Sequence, residues 1–397
     1  MHKEPLLKPW KTKVPILINK RIVVFLIMLF IAFAFYWNYP RLLFLMPNNN
    51  SVDVIQILAG NRNSFIILSD GSLWGWGDNS HGQLGDGTTI NRYEPVHILN
   101  DVIYVASGLS HTIAIKADNT LWAWGNNRQG QLGDGTRIDR HVPVLVKNDI
   151  AMISLSLLSY VVTIDGSLYV LGHNSDIAQQ IIYRRVMENV LDVSAGGNFQ
   201  LVLKKDNSLW SWGSNHVGQL GDGTQVSRSY INPTFIMNNV IQISAGSSHA
   251  MAVDADGRLW GWGGYESFGR MRTFGVVGDG TREARLYPVE IMDNIVTVSI
   301  RNNQTFAIRE NGSLWSWGAG TTRSLGYRWR SNRPRFVAHN IEKISSGSVH
   351  TIATRSDGSI WMWGQNGNGQ LGVNSSIERS WAINITSNII NATNRKD

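Results

Sequence analysis

Three residue types recur along this chain at spacings that could support chemistry. Asp86, Asp134, Asp222 and Asp279 each sit in a Gly-x-x-Gly-Asp-Gly-Thr stretch, at 82–88, 130–136, 218–224 and 275–281, with a remnant at 369–374. Carboxylates can serve as general acid and base, but that work needs unlike groups brought together. Here one group recurs in one kind of turn, which points to a structural role. Arg92, Arg140, Arg228, Arg285, Arg333 and Arg379 follow at a fixed offset from a glycine of the same stretch. Either each pins its turn through an aspartate or carbonyl, or together they form a ring of cations for an acidic partner. Presence in nearly every unit favours the pin. His111, His249 and His350 each follow a glycine turn, which suits neutral imidazoles bonded to backbone better than a metal cluster. Gly367-x-Gly369-x-x-Gly372 spells a dinucleotide fingerprint, but no helical pattern follows it. No P-loop, HExxH or GxSxG string is present, so no catalytic, cofactor-binding or metal-binding residue is assigned.

The elements that hold these residues repeat seven times. The turn dipeptides are Asp70-Gly71, Asp118-Asn119, Asp165-Gly166, Asp206-Asn207, Asp256-Gly257, Asn311-Gly312 and Asp357-Gly358, each followed by a short strand ending in glycine. An Asx-Gly pair between apolar runs is a strong hairpin signal, since both central residues can take positive φ. Each unit reads as four short strands, too small to bury itself and suited to stacking on the next.

Six units carry a Trp-x-Trp strand. The doublets are Trp74 and Trp76, Trp122 and Trp124, Trp210 and Trp212, Trp260 and Trp262, Trp315 and Trp317, and Trp361 and Trp363. Residues i and i+2 of a strand share a face. The residue between is small in five units, with Met362 the exception. The pattern predicts that one unit's indole pair packs on the small-residue face of its neighbour. These tryptophans are therefore assigned to the core.

The WxWG-xN-xxGQLGDGT string resembles the regulator of chromosome condensation repeat family, over residues 52–386. That resemblance implies an all-β fold, a seven-bladed β-propeller of four-stranded blades. Units three and six depart from the pattern. Unit three lacks the Gly-Asp-Gly-Thr loop, and unit six has Ile300–Gln304 in place of an Ala-Gly turn. Distorted blades are expected there.

Net charge is +7, but residues 1–50 hold seven Lys/Arg against Glu4, leaving the remainder one charge from neutral. Such a body lacks the field of a nucleic-acid binder. With no cysteine, disulfides and thiolate zinc sites are excluded. Residues 1–21 read as a basic cytoplasmic segment and 22–39 as a transmembrane signal anchor, with Lys20 and Arg21 before the apolar run and Tyr36, Trp37 and Tyr39 at its far end. Ala32-Phe33-Ala34 imitates a cleavage site, although the bulky aromatics after it argue for retention. Residues 40–51 form a linker, and 387–397 a polar tail.

Departures from the repeat are where recognition is expected. Tyr265, Phe268, Arg270 and Phe274 lie on an irregular insert of unit five; Tyr327, Trp329 and Arg330 lie in unit six and Trp381 in unit seven. Aromatics and arginines on irregular loops are common interface anchors. The competing reading is that they cover blade edges or fill the channel. The expected function is a non-enzymatic, monomeric, protein-binding propeller of a bacterial membrane-anchored family member, held outside the cytoplasm. The alternatives are guanine-nucleotide exchange on a small GTPase, the activity the family resemblance implies, and a glycan or cell-wall binding module.

Overall fold

The computed structural model describes residues 52–155, 159–173, 181–230, 232–264, 275–319 and 330–395. The expected transmembrane segment lies outside these residues. Among those described, no helix is long and apolar enough to cross a membrane.

The compact unit from Asn49 to Asp397 contains seven four-stranded antiparallel sheets. Blade 1 comprises Val54–Ala59, Asn63–Leu68, Leu73–Gly77 and Arg92–Leu99. Every blade is four consecutive strands paired in chain order, so no strand is exchanged at closure. Blades three and six keep the same four-stranded plan despite their altered sequences. The first strands touch their counterparts in adjacent blades, and Val54–Ala59 meets Ile341–Ser346 to complete the ring. These strands line the central channel.

The hairpin between the second and third strands uses that freedom at one position. Only its second residue takes positive φ: Gly71 at 79°, Asn119 at 62°, Gly257 at 77°. Asp70 Oδ1 accepts from the Ser72 amide at 2.8 Å and the Ser72 hydroxyl at 2.6 Å. That local capture holds the aspartate in a right-handed turn and leaves the left-handed position to its successor.

The indole pairs pack as the pattern predicts. Trp122 and Trp124 face Phe65, Ile67 and Leu73 of blade 1 in one apolar cluster. Gly75 is small because a Cβ there would lie 2.8 Å from the Phe65 ring across the hairpin. The two indoles of a doublet have different tasks. The first bonds within its own blade, as in Trp74 Nε1 to Ser72 Oγ at 2.9 Å and Trp260 Nε1 to Asp254 Oδ2 at 2.9 Å. The assignment of all twelve to the core is corrected for this position. Trp122, Trp210, Trp260, Trp315 and Trp361 are only half-buried, because their bonding edge faces the exposed hairpin turn.

The second indole is buried in every doublet and sits at the seam between blades. Trp124 Nε1 donates across it to Gln83 O at 2.9 Å, Trp262 Nε1 to Gln219 O at 3.0 Å, and Trp317 Nε1 to Val277 O at 3.1 Å. Trp363 of blade seven meets Phe306 of blade six edge-on at 6.3 Å, within a cluster that also holds Ile308 and Leu314. Blade three lacks the loop that offers the carbonyl, and Tyr160 takes its place. Its ring meets Trp212 edge-on at 6.3 Å.

The polar tail is corrected. Thr386–Thr393 is a helix, with Ile389 and Ala392 buried in the cluster that also holds Ile57, Trp74 and Trp76 of blade 1. Trp74 thereby becomes the one first indole that is fully buried. Ile385 and Ile389 recur four apart, as on one helical face, within a segment otherwise rich in Asn, Ser and Thr.

Candidate functional site

The repeated aspartates are internal pins. Asp134 Oδ1 accepts from Asn127 Nδ2 at 2.9 Å and from the amide and hydroxyl of Thr136 at 2.9 and 2.7 Å, while Arg140 Nε donates to Oδ2 at 2.8 Å. Asp86, Asp222 and Asp279 bond in the same way to Thr88 and Arg92, Thr224 and Arg228, and Thr281 and Arg285. Burial alone would raise the Asp134 pKa, but hydrogen bonds from Thr136 and Arg140 outweigh it and hold the carboxyl below its usual range. Arg92, Arg140, Arg228 and Arg285 are thus committed to their own turns, which removes them from any ring of free cations.

Arg333 and Arg379 depart from that plan. The register partner of Gly318 is Ser331, where the other blades place their pinning arginine, so Arg333 lies two residues beyond it. Its guanidinium rests instead against Gly280 of blade five. Arg379 keeps the register opposite Gly364. Val373 fills the aspartate position there, and the Arg379 Nε is buried without a hydrogen-bond partner.

The histidines are seam residues. His350 Nε2 lies 2.8 Å from Ser64 Oγ and His249 Nε2 lies 3.0 Å from Thr305 Oγ1, each in the following blade. His111 has no such partner for its Nε2. Burial pushes the pKa of His111 down to about 4 and those of His249 and His350 to about 3, so all three are neutral. The described residues hold no group of three or more acids and histidines placed to ligate a metal.

Of the expected recognition residues, Tyr265, Phe268, Arg270, Phe274, Tyr327 and Trp329 lie outside the described residues. Arg330 is exposed. Trp381, on the outermost strand of blade seven, is 66% exposed. Both stand near the start of the fourth strand of adjacent blades.

Two features escaped the sequence reading. The second residue of the inner strand exposes an aliphatic side chain in five blades: Ile55, Ile103, Leu191, Ile241 and Val296. A bulge falls at this residue in each of these strands, which turns it out of the hairpin. By register they encircle one end of the channel. At the other end the hairpins bound a cavity of about 510 Å³. Among the described residues its one charged lining residue is Arg301. The signal for it was a break in pattern: Gly60, Gly108, Gly196, Gly246 and Gly347 occupy the corresponding position in five other blades.

These features define a seven-bladed propeller of tandem repeats with its polar repeat chemistry turned inward. Two profiles described as Regulator of chromosome condensation (RCC1) repeat match this chain, one at 70–115, 118–155, 206–253 and 311–354, the other at 54–83, 102–131, 190–219, 240–270 and 341–370. Together they match more than half of it, and the chain belongs to the RCC1 repeat family. Among curated proteins it is 24% identical over 175 residues to the E3 ubiquitin-protein ligase HERC2 of Homo sapiens, covering 42% of this chain and 4% of that protein. Human WBSCR16 superimposes with a TM-score of 0.66 at 21% identity, over 79% of this chain and 93% of that one. Prp20p of Saccharomyces cerevisiae gives a TM-score of 0.66 at 18% identity, over 85% and 90%. At these identities the structural likeness establishes the fold.

Proposed function

We propose that this propeller is a non-enzymatic scaffold for a protein partner, held outside the cytoplasm by its N-terminal apolar segment. The observation that carries the binding reading is the ring of exposed aliphatics, Ile55, Ile103, Leu191, Ile241 and Val296, at one end of the channel. Apolar side chains gathered at one place on a surface mark contact sites better than the same side chains scattered singly. Trp381 and Arg330 add an aromatic and a cation at the outer edge of blades six and seven. Prp20p, a solved relative, is described by its binding to Gsp1p and histones, which supports a protein rather than a small-molecule client for this fold. The anchor reading rests on the charge asymmetry around residues 22–39.

Two experiments test the parts separately. Protease added to intact cells expressing the chain should digest the propeller; full protection with the membrane sealed would place it in the cytosol and contradict the anchor reading. A photo-crosslinking residue at Ile241 or Trp381 should give a discrete adduct that is absent when it is placed at the exposed loop residue Gln225. Identical labelling at all three positions would contradict the binding reading.

A further inference from the structure

The cavity at the hairpin end of the channel has the composition of a ligand site. Among the described residues Arg301 is its sole charged lining residue; the rest of the described wall is apolar side chains, glycines, serines and asparagines, with Tyr104 further in. Arg301 forms no ion pair or side-chain hydrogen bond with any described residue, and burial pulls its pKa down. An arginine keeps its charge in such a half-buried site, and a counter-ion would offset the part of its hydration that is lost.

Neutral donors lie in the same wall. Ser154, Ser194 and Ser244 line the cavity. Their oxygens accept the amides of Ala195, Ala245 and Ile300 in the next blade, at 3.0, 2.9 and 3.0 Å. Each hydroxyl proton is left over to donate. The glycines that stand in place of Arg301 elsewhere have no room for a side chain. A Cβ at Gly246 would lie 2.6 Å from Asn302 O, and one at Gly347 would lie 2.4 Å from Gly60 O. Among the described residues, only blade six departs from this crowding to place a cation at the mouth.

From this geometry we infer that the cavity is a carboxylate-binding site, with Arg301 supplying the charge and the inter-blade serine hydroxyls the surrounding hydrogen bonds. One guanidinium among neutral groups matches a monoanion. A dianionic phosphate would bring a second charge with no cation of the wall to offset it. Asp192, on the inner strand of blade four, interacts with Tyr104, and burial raises its pKa to about 6. The site lies at the opposite end of the channel from the aliphatic ring and stands or falls without it.

The test uses the full chain and calorimetric titration with N-acetylglycine, a monoanion, against N-acetylglycinamide as its neutral counterpart. A capped Gly-Ser-Glu-Ser-Gly peptide and its Gln counterpart form a second arm. The acid should bind roughly tenfold or more tightly than the amide and should raise the thermal midpoint. Arg301→Gln should abolish the preference while folding normally, because it removes an uncompensated cation, and Arg301→Lys should retain part of it. Binding in the free-acid arm alone identifies a small organic acid as ligand; binding in both identifies a partner's acidic side chain, and each supports the site. Equal affinity for acid and amide, an unchanged preference in Arg301→Gln, or no binding in either arm at millimolar concentration overturns it.

Discussion

Trp76 of blade one donates its indole proton to the Gln370 carbonyl of blade seven at 2.9 Å, 294 residues further along the chain. The Ser64 hydroxyl donates to the same carbonyl at 2.9 Å and stands 2.8 Å from His350 Nε2. A Cβ on Gly372, beside that carbonyl, would come within 2.9 Å of the indole. The seam between the ends of the propeller therefore repeats the contacts of the internal seams. Closure here needs no shared strand.

Trp76→Phe keeps most of the buried ring and removes the cross-seam bond. We expect it to cost about 1–3 kcal/mol in urea unfolding, the range for a buried hydrogen bond and some lost packing. Trp361→Phe breaks the local bond to Ser359 and leaves a smaller ring under Arg355, both within one blade, and should cost less. Equal losses would mean that the seam bond adds nothing.

The C-terminal helix strengthens the same closure. Ile389→Asp, which places a charge among Ile57, Trp74 and Trp76, should lower stability by several kcal/mol or prevent folding. Arg395 pairs with Glu94 at 2.9 Å at an exposed site, and Arg395→Ala should cost at most about 1 kcal/mol. A large loss from Arg395→Ala with a small one from Ile389→Asp would reverse this ranking.

Blade seven offers a gain instead of a loss. Val373→Asp supplies the carboxylate that Arg379 lacks, and should raise stability by about 1 kcal/mol if the pin forms as in the other blades. Asp134→Asn in the intact pin should destabilise by about 1–3 kcal/mol. Guanidinium chloride would screen the ion pair, so urea titration is the appropriate measurement. A loss in Val373→Asp comparable to that in Asp134→Asn would show that the turn does not tolerate the carboxylate.

The pH dependence follows from the seam histidines. Their folded pKa values, about 4, 3 and 3, lie below the unfolded value of about 6.5. The unfolded chain thus binds more protons between pH 6.5 and about 4, and stability falls as pH drops through that window. Asp192 acts in the opposite sense, because its folded pKa of about 6 lies above the unfolded one. The net uptake on unfolding near pH 5 should approach two protons. Stability measured against pH with His249→Gln should show a shallower slope; an unchanged slope would contradict the assignment.

Much of this fold was legible in the primary structure. The Asp70-Gly71 type of turn, the Trp-x-Trp strand and the Gly-Asp-Gly-Thr loop each report a local constraint, and local constraints repeat visibly. Recurrence at short range pointed to Arg140 as a turn pin bonded to an aspartate or a carbonyl, and the structure makes Asp134 the partner. The partner of each second tryptophan was not legible, because Gln83 offers its backbone carbonyl, which any residue carries. The aliphatic ring was hidden for a related reason. Ile103 and Val105 look alike in sequence, and only the bulge turns one out and the other in. Arg301 was visible as a break in pattern, but its lack of a counter-ion among the described residues is a property of the closed ring.

The central claim is that the repeat's polar chemistry holds the ring together while the aliphatic end of the channel recognises a partner. The most direct measurement compares a double variant, Leu191→Ser with Ile241→Ser, with the parent chain, by urea unfolding and by adduct formation from a photo-crosslinker at Ile103. The account predicts an unfolding midpoint close to the parent's, together with loss of the adduct. A full-strength adduct from the double variant would contradict it.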